Sequence, residues 1–323
     1  MIRNAAVVLA CLAATLSTTA SHAQNFPQRD ITFIVPWNAG GSNDVAARAL
    51  DPILREHGIK IVIENVVGAT GTLGMRRVAG AAPDGYTLGM GTSSTLALIA
   101  QGKTPLKNTD FTHLARVSTD PLMLLVSTKA PQKSLDEFIA YMKSNPDKVS
   151  IGTPGSYNLN HIFASMTARA AGVNYVNVPY TGGSKVVADL LGQHVDSGVL
   201  KPSETLGQIQ EKLLTPLGVF ANARLEMFPD VPTFKDKGFD VFPYGPVVQM
   251  AYVVAPANLP ADVRTKLITA FRAAINDPRF VEFAKKNAFL VDDLTGDALT
   301  KEVDNVAAAL GTVAEKTFPK EKE

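Results

Sequence analysis

The sequence predicts an α/β fold arranged as two domains. Three observations carry this: short apolar runs alternate with helix-like segments, turns rich in Gly and Pro separate them, and the chain has 323 residues. That length is about twice a common domain size.

The elements follow in order. Ile31 to Val35 is a short apolar strand closed by Pro36. Trp37-Asn38-Ala39-Gly40-Gly41-Ser42-Asn43-Asp44 leads into a helix reaching about Glu56, with Ser42 or Asn43 suited to the N-cap. Lys60 to Glu64 is the next strand, and Gly68 to Gly74 opens a helix through Val78. Pro83-Asp84-Gly85 is a turn, Tyr86 to Gly89 a strand, and Gly91-Thr92-Ser93-Ser94-Thr95 introduces a further helix. The stretch from that helix to Pro121 is given no strand. Strand–helix alternation of this kind points to a parallel or mixed sheet with helices on both faces.

Pro121 to Ser127 reads as a strand leaving the first domain. A second unit then repeats the pattern: helix 135–143, strand 149–152, helix 158–171 stopped by Gly172, strand 175–178, helix to Leu191, strand 194–199, a helix begun by Pro202, and strand 216–220. Val247 to Val254 is a long strand rich in β-branched residues, followed by helices 260–275, 278–286 and 299–315. This tail brings no new Gly-rich loops, so it is expected to return to the first domain. The boundaries expected are 24–127 plus 248–323 for domain 1 and 128–247 for domain 2, with two crossover segments between them.

Composition narrows the function classes. Lys plus Arg number 31 against 30 Asp plus Glu, so no basic excess points to nucleic acid. One Cys excludes a disulfide scaffold or a Cys-rich metal site. At the N-terminus Arg3, the apolar run Ala5 to Leu16 and Ser21-His22-Ala23 form an export signal, residues 1–23, with cleavage expected after Ala23. A retained anchor would need ~20 apolar residues. Lipidation at Cys11 would leave a very short apolar core before the cut. Loss of the leader removes the Cys, which suits an oxidising compartment.

The recurring chemistry is a strand end, a Gly-bearing loop and a helix start, at 36–44, 89–95, 152–158 and 179–185. The first four N–H groups of a helix lack intrahelical partners and attract anions. Glycine lets the main chain come close to a ligand. Ligands of open α/β sheets bind beyond the carboxyl ends of strands, so loops from the two domains are expected to face one cleft. Gly68, Gly71 and Gly74 depart from G-x-G-x-x-G, and close helix packing explains them better than a dinucleotide does. No G-x-x-x-x-G-K-S/T, H-E-x-x-H or G-x-S-x-G is present, and no cofactor is expected. His161 and Asp196 are open to either reading, ligand contact or structural hydrogen bonding. Trp37 either roofs a pocket or packs between layers, and Tyr180 offers a hydroxyl ahead of Gly182.

The stretches IVPWNAGGSNDVAAR, GATGTLGMRRVAGAAPDGYTL, TPGSYNLNH, VNVPYTGGSKVVADLLGQHVD and FPDVPTF, in this order, resemble the Bug or TctC-like extracytoplasmic solute receptors of tripartite tricarboxylate transport systems. The resemblance covers nearly all of the chain beyond the leader. It implies a type II periplasmic binding protein, two α/β domains joined by two crossover segments around a ligand cleft, located in the periplasm. It implies capture of a small mono-, di- or tricarboxylate, aliphatic or aromatic, for integral membrane permease subunits, with no catalysis and no cofactor. A monomer is expected. A sensor feeding a membrane signalling protein is the alternative, and a periplasmic enzyme on the same scaffold stands behind it. The ligand contacts it implies are Trp37, Asn38, Ala39, Gly40, Gly41, Ser42, Asp44, Thr92, Ser93 and Ser94 from the first domain. From the second they are Thr153, Gly155, Ser156, Asn158, His161, Tyr180, Thr181, Gly182, Gly183 and Asp196. Lys201, in a stretch less apolar than the family pattern, offers an ammonium for a second ligand carboxylate.

Overall fold

The computed structural model describes residues 26–318, so the export signal and Cys11 lie outside the described residues. Two five-stranded sheets organise them. The first lobe starts with β1 (Ile31–Val35), passes through α1 (Ser42–Glu56) to β2 (Ile61–Asn65), and then through α2 (Thr72–Ala79) to β3 (Thr87–Thr92). β1 lies between β2 and β3 and pairs in parallel with both. Helix α3 (Ser93–Ala100) and β4 (Phe111–Thr119) follow.

The chain then builds the second lobe: β5 (Leu122–Ser127), α4 (Leu135–Ser144), β6 (Ser150–Thr153), α5 (Leu159–Ala171), β7 (Val176–Pro179), α6 (Gly183–Leu191), β8 (Ser197–Leu200), α7 (Pro202–Gln210) and β9 (Leu214–Phe220). It returns as β10 (Met250–Pro256), which inserts antiparallel between β3 and β4 to give the order β2-β1-β3-β10-β4. Helices α8 (Ala261–Ile275), α9 (Pro278–Lys286) and α10 (Gly296–Thr317) close the lobe. The second sheet has the order β7-β6-β8-β5-β9, parallel across β7, β6 and β8 and antiparallel on both sides of β5.

Local chemistry explains these elements. β5, β8 and β10 are buried along their whole length, as strands covered by helices on both faces must be, and β5 and β10 read as near-continuous apolar runs. α1 buries Ala46, Ala47, Leu50, Ile53 and Leu54, one stripe of a 3.6-residue period. Ser134 and Asn158 cap α4 and α5 by accepting from Glu137 N–H and His161 N–H. Pro202 and Pro278 open α7 and α9, where the missing N–H is no loss. Gly172 ends α5 with φ +70, a left-handed turn that suits glycine.

Three expectations need correcting. The strand at 122–127 belongs to the second sheet, because Leu122 to Ser127 pairs with β9 and Met123 to Leu125 with β8. The first crossing is therefore Asp120-Pro121, six residues before the expected boundary at 127. β4 has no counterpart in the sequence reading. Its side chains include Thr112, His113 and Arg116, and His113 is buried by pairing with Asn108 and Thr300, so the usual alternation is hidden. Finally, α1 is capped by Gly41 with no side-chain bond, not by Ser42 or Asn43.

The two crossings are tied together, since Asp120 N–H donates to Gln249 C=O at 2.8 Å. The lobes also share apolar packing. One buried cluster runs from Met75, Leu96, Val303 and Leu310 of the first lobe to Leu124, Phe138, Phe163 and Phe220 of the second. Each such side chain contributes ~1.5–3 kcal/mol when fully buried, and the packing of α5 against α3 and α10 joins the lobes beside the crossings.

Candidate functional site

Strand ends and helix starts meet where the lobes face each other. The cavity there measures about 30 Å³. One water needs ~10–15 Å³ of such space, so the room is for a small group. From the first lobe Trp37, Asn38, Gly41, Ser42, Asn43 and Ser94 line it. From the second come Pro154, Asn160, Gly182, Gly183, Ser184, Lys201 and Glu204, with Gln249 from the returning crossing.

Each wall has a reason to be where it is. Gly41 caps α1 beyond β1 and spends its own N–H on Asn38 C=O at 3.2 Å, which leaves the Ser42 and Asn43 N–H groups as the unpaired donors of this helix start beside the cavity. Gly182 likewise caps α6 beyond β7, with Gly183 its first residue. Gly182 permits close approach of the lobes: a Cβ there would lie 2.7 Å from Asn38 Nδ2. Trp37 rests on Gly71, where a Cβ would come within 3.2 Å of the indole and 2.7 Å of Thr95 Oγ1. Gly74 lies similarly close to Pro36 and Val66 C=O, so these glycines serve packing beneath the Trp37 loop. The Trp37 Nε1 atom is buried without a protein partner.

Lys201 is the unusual feature. The residue is 4% exposed, and its ammonium lies 2.9 Å from Asp120 Oδ2 and 3.1 Å from Ser42 Oγ. It thereby joins the second lobe to the first crossing and to the start of α1. Glu204 Oε2 accepts from Lys201 N–H at 3.2 Å, capping α7. Burial pushes the Glu204 carboxyl above its ordinary range, against the pull of Lys201 and its N–H. Asp120 Oδ1 and Gln249 Oε1 are buried acceptors with no protein donor.

The sequence-derived residues divide into groups. Trp37, Asn38, Gly41, Ser42, Ser94, Gly182 and Gly183 line the cavity. Ala39, Gly40 and Thr181 sit in the same loops without lining it. Asp44 holds its loop instead: its carboxylate accepts from Gly40 N–H, Arg48 and Asn65. Burial raises its pKa, but those bonds outweigh it and keep the carboxyl below its usual value. Thr92 caps α3, and Ser93 donates to Val248 C=O at 2.7 Å, anchoring the return crossing. Thr153 donates to Gly155 C=O and Asn177, Asn158 caps α5, and the Ser156 carbonyl receives Thr70 of the other lobe at 3.5 Å.

Three assignments are corrected by geometry. Asp196 precedes β8 and accepts from Ser150 N–H at 2.7 Å and Ser150 Oγ at 2.6 Å. Ser150 begins the parallel strand β6, so this knot lies at the amino ends of the strands, away from the cavity. His161 Nδ1 accepts from Tyr157 N–H at 3.0 Å, its ring packs 4.5 Å from Phe318, and burial lowers its pKa to about 4. Tyr180 spends its hydroxyl on Asp189 at 2.6 Å, with burial and Asp189 raising its pKa to about 12.

Glu204 and Gln249 escaped the sequence reading. The strand-end rule that found the glycine loops applies equally to Lys201-Pro202, the start of α7 beyond β8, but no glycine marks it. Gln249 carries no local signal beyond its place at a crossing.

Comparison with known proteins supplies the identity. The family model described as the tripartite tricarboxylate transporter family receptor matches residues 45–316. A UPF0065 protein of Bordetella pertussis is 33% identical over 282 residues, covering 86% of each chain. A solved periplasmic transporter superposes with a TM-score of 0.84 at 30% identity, covering 91% of this chain and 98% of its own. MatC from Rhodopseudomonas palustris, solved with bound malate, gives 0.83 at 28%, covering 90% and 100%. This chain belongs to the TctC family: it is a periplasmic solute-binding receptor with the type II binding-protein fold, not an enzyme.

Proposed function

We propose that this receptor captures a small carboxylate between its lobes and delivers it to the membrane subunits of a tripartite transporter. The main support is the meeting of two helix starts, Gly41 to Asn43 and Gly182 to Ser184, on opposite walls of one cavity. A helix start with no acid of its own in the cavity, as at α1, contributes ~0.3–2 kcal/mol to holding an anion. MatC, a relative of the same fold, holds malate, which agrees in chemical class.

The ligand docks on the first lobe against α1, and the second lobe rotates over it about the crossings at 120–121 and 247–249. Contacts that span the lobes, such as Gly182 against Asn38 and Lys201 against Ser42, favour the closed arrangement. Expulsion of water then strengthens the N–H to carboxylate bonds. The closed shape is what the membrane subunits would read, and a monomer suffices for it.

A thermal-shift screen against carboxylates tests the proposal. A ligand at a hundredfold excess over its Kd stabilises the fold by ~2.7 kcal/mol. The expected result is a raised Tm with at least one carboxylate, accompanied by a more compact small-angle scattering profile. No shift across mono-, di- and tricarboxylates would overturn the carboxylate reading.

A further inference from the structure

We propose that Glu204 occupies one of the two anion positions of the cleft, so that the receptor selects small hydroxy-monocarboxylates over di- and tricarboxylates. This rests on the cavity being the ligand site.

Glu204 lies against the start of α6. A Cβ built on Gly183 would fall 2.6 Å from Glu204 Oε1 and 3.0 Å from Oε2, so the carboxyl stands beside the first residue of α6, in space a ligand carboxylate would have to share to reach that helix end. Such an end favours one negative group, and this chain already supplies it. The start of α1, at Gly41 to Asn43, has no acid of its own in the cavity, because Asp44 is turned to Gly40, Arg48 and Asn65. One ligand carboxylate therefore has a place, and a second does not.

The charges of the walls agree. Lys201 and Glu204 are the charged side chains among the described residues lining the cavity. The Lys201 ammonium is already paired with Asp120 at 2.9 Å, so it is not a free counter-charge for a second carboxylate. A dianion must either face the Glu204 charge or force a proton onto it. Burial already moves Glu204 in that direction, so dianion binding is expected to take up a proton.

The hydroxyl follows from an acceptor without a donor. Gln249 lines the cavity, is 6% exposed, and its Oε1 has no protein partner. Leaving a buried acceptor unpaired costs free energy that a ligand O–H relieves.

The test is isothermal titration of the full mature receptor with matched pairs: propanoate, lactate, succinate and malate. Lactate is expected to bind at least tenfold tighter than malate and tighter than propanoate. Glu204→Gln keeps an acceptor for Lys201 N–H while removing the charge, and is expected to narrow the lactate-to-malate ratio at least tenfold. Proton uptake on malate binding, read from heats in buffers of different ionisation enthalpy, should vanish in that variant. Malate or succinate binding as tightly as lactate to the wild type would overturn charge selection, as would an unchanged ratio in Glu204→Gln. Propanoate matching lactate would overturn the hydroxyl requirement. If the variant does not fold, the wild-type ratios alone decide. Binding of none of the four, with none in the wider carboxylate screen either, would overturn the underlying carboxylate reading, an outcome distinct from binding without charge preference.

Discussion

The Lys201 ammonium and the Asp120 carboxylate lie 2.9 Å apart, their side chains 5% and 0% exposed. An ion pair buried this deeply carries a large desolvation penalty, met here by the pair itself and by Ser42 Oγ. Because Asp120 sits in the crossing, the pair fixes the second lobe to the hinge as well as to α1.

Removing one partner should therefore be costly. Lys201→Met strands the Asp120 charge and is expected to destabilise the receptor by ~3–5 kcal/mol. The double variant with Asp120→Asn should recover most of that loss. Urea unfolding of the two singles and the double reads the coupling directly, and additive losses would deny it.

Gly182 provides a test of closure. Its φ of 175 is ordinary extended backbone, so Gly182→Ala carries no strain of its own. The new Cβ would press on Asn38 Nδ2 across the cleft. Ligand affinity should fall about tenfold, ~1.4 kcal/mol, while the unliganded Tm stays near that of the wild type. Truncation of the obstacle by Asn38→Ala in the same chain should restore part of the affinity, measured by titration calorimetry.

Asp196 should behave as a structural residue. Asp196→Ala removes the acceptor of Ser150 N–H and Oγ and is expected to cost ~1–3 kcal/mol of folding stability. Ligand affinity at a temperature where the variant is folded should be unchanged. A tenfold affinity loss without a stability loss would return Asp196 to the binding site.

His113 predicts a pH dependence. Burial lowers its pKa to about 4 from 6.5, with Asp304 opposing this and Arg264 adding to it. The unfolded state then binds more protons between these values. Stability from this group is present above pH 6.5 and is lost as pH falls toward 4, by an amount of order 3 kcal/mol. His161 acts in the same direction. The variant His113→Gln should show a flatter stability profile between pH 6.5 and 4 in chemical denaturation.

Much of the fold was legible because strands covered on both faces are written as unbroken apolar runs. Ile31 to Val35 and Pro278 to Lys286 were read to their ends. β4 was hidden because His113 and Arg116 find polar partners through distant pairs, His113 with Asn108 and Thr300 and Arg116 with Asp292, which no local pattern reveals. The first crossing was misplaced because β5 is equally apolar whichever sheet receives it. In the site, glycine marked the helix starts that line the cavity, Gly41 and Gly182 among them. It gave no warning of Glu204 and Gln249, which reach the cavity through tertiary placement. Asp196 and His161 illustrate the opposite error, polar residues near ligand-like loops whose atoms are taken up by the scaffold.

The insertion of β10 between β3 and β4 has a consequence for how the molecule is made. One interior strand of the first sheet is supplied by residues that follow the whole second lobe, so the N-terminal third of the polypeptide cannot finish its own core when it emerges. The second lobe is continuous in sequence and has every strand it needs. The first sheet closes only when the 250–256 segment lies between β3 and β4, so the pairing that completes its core also sets the return crossing of the hinge.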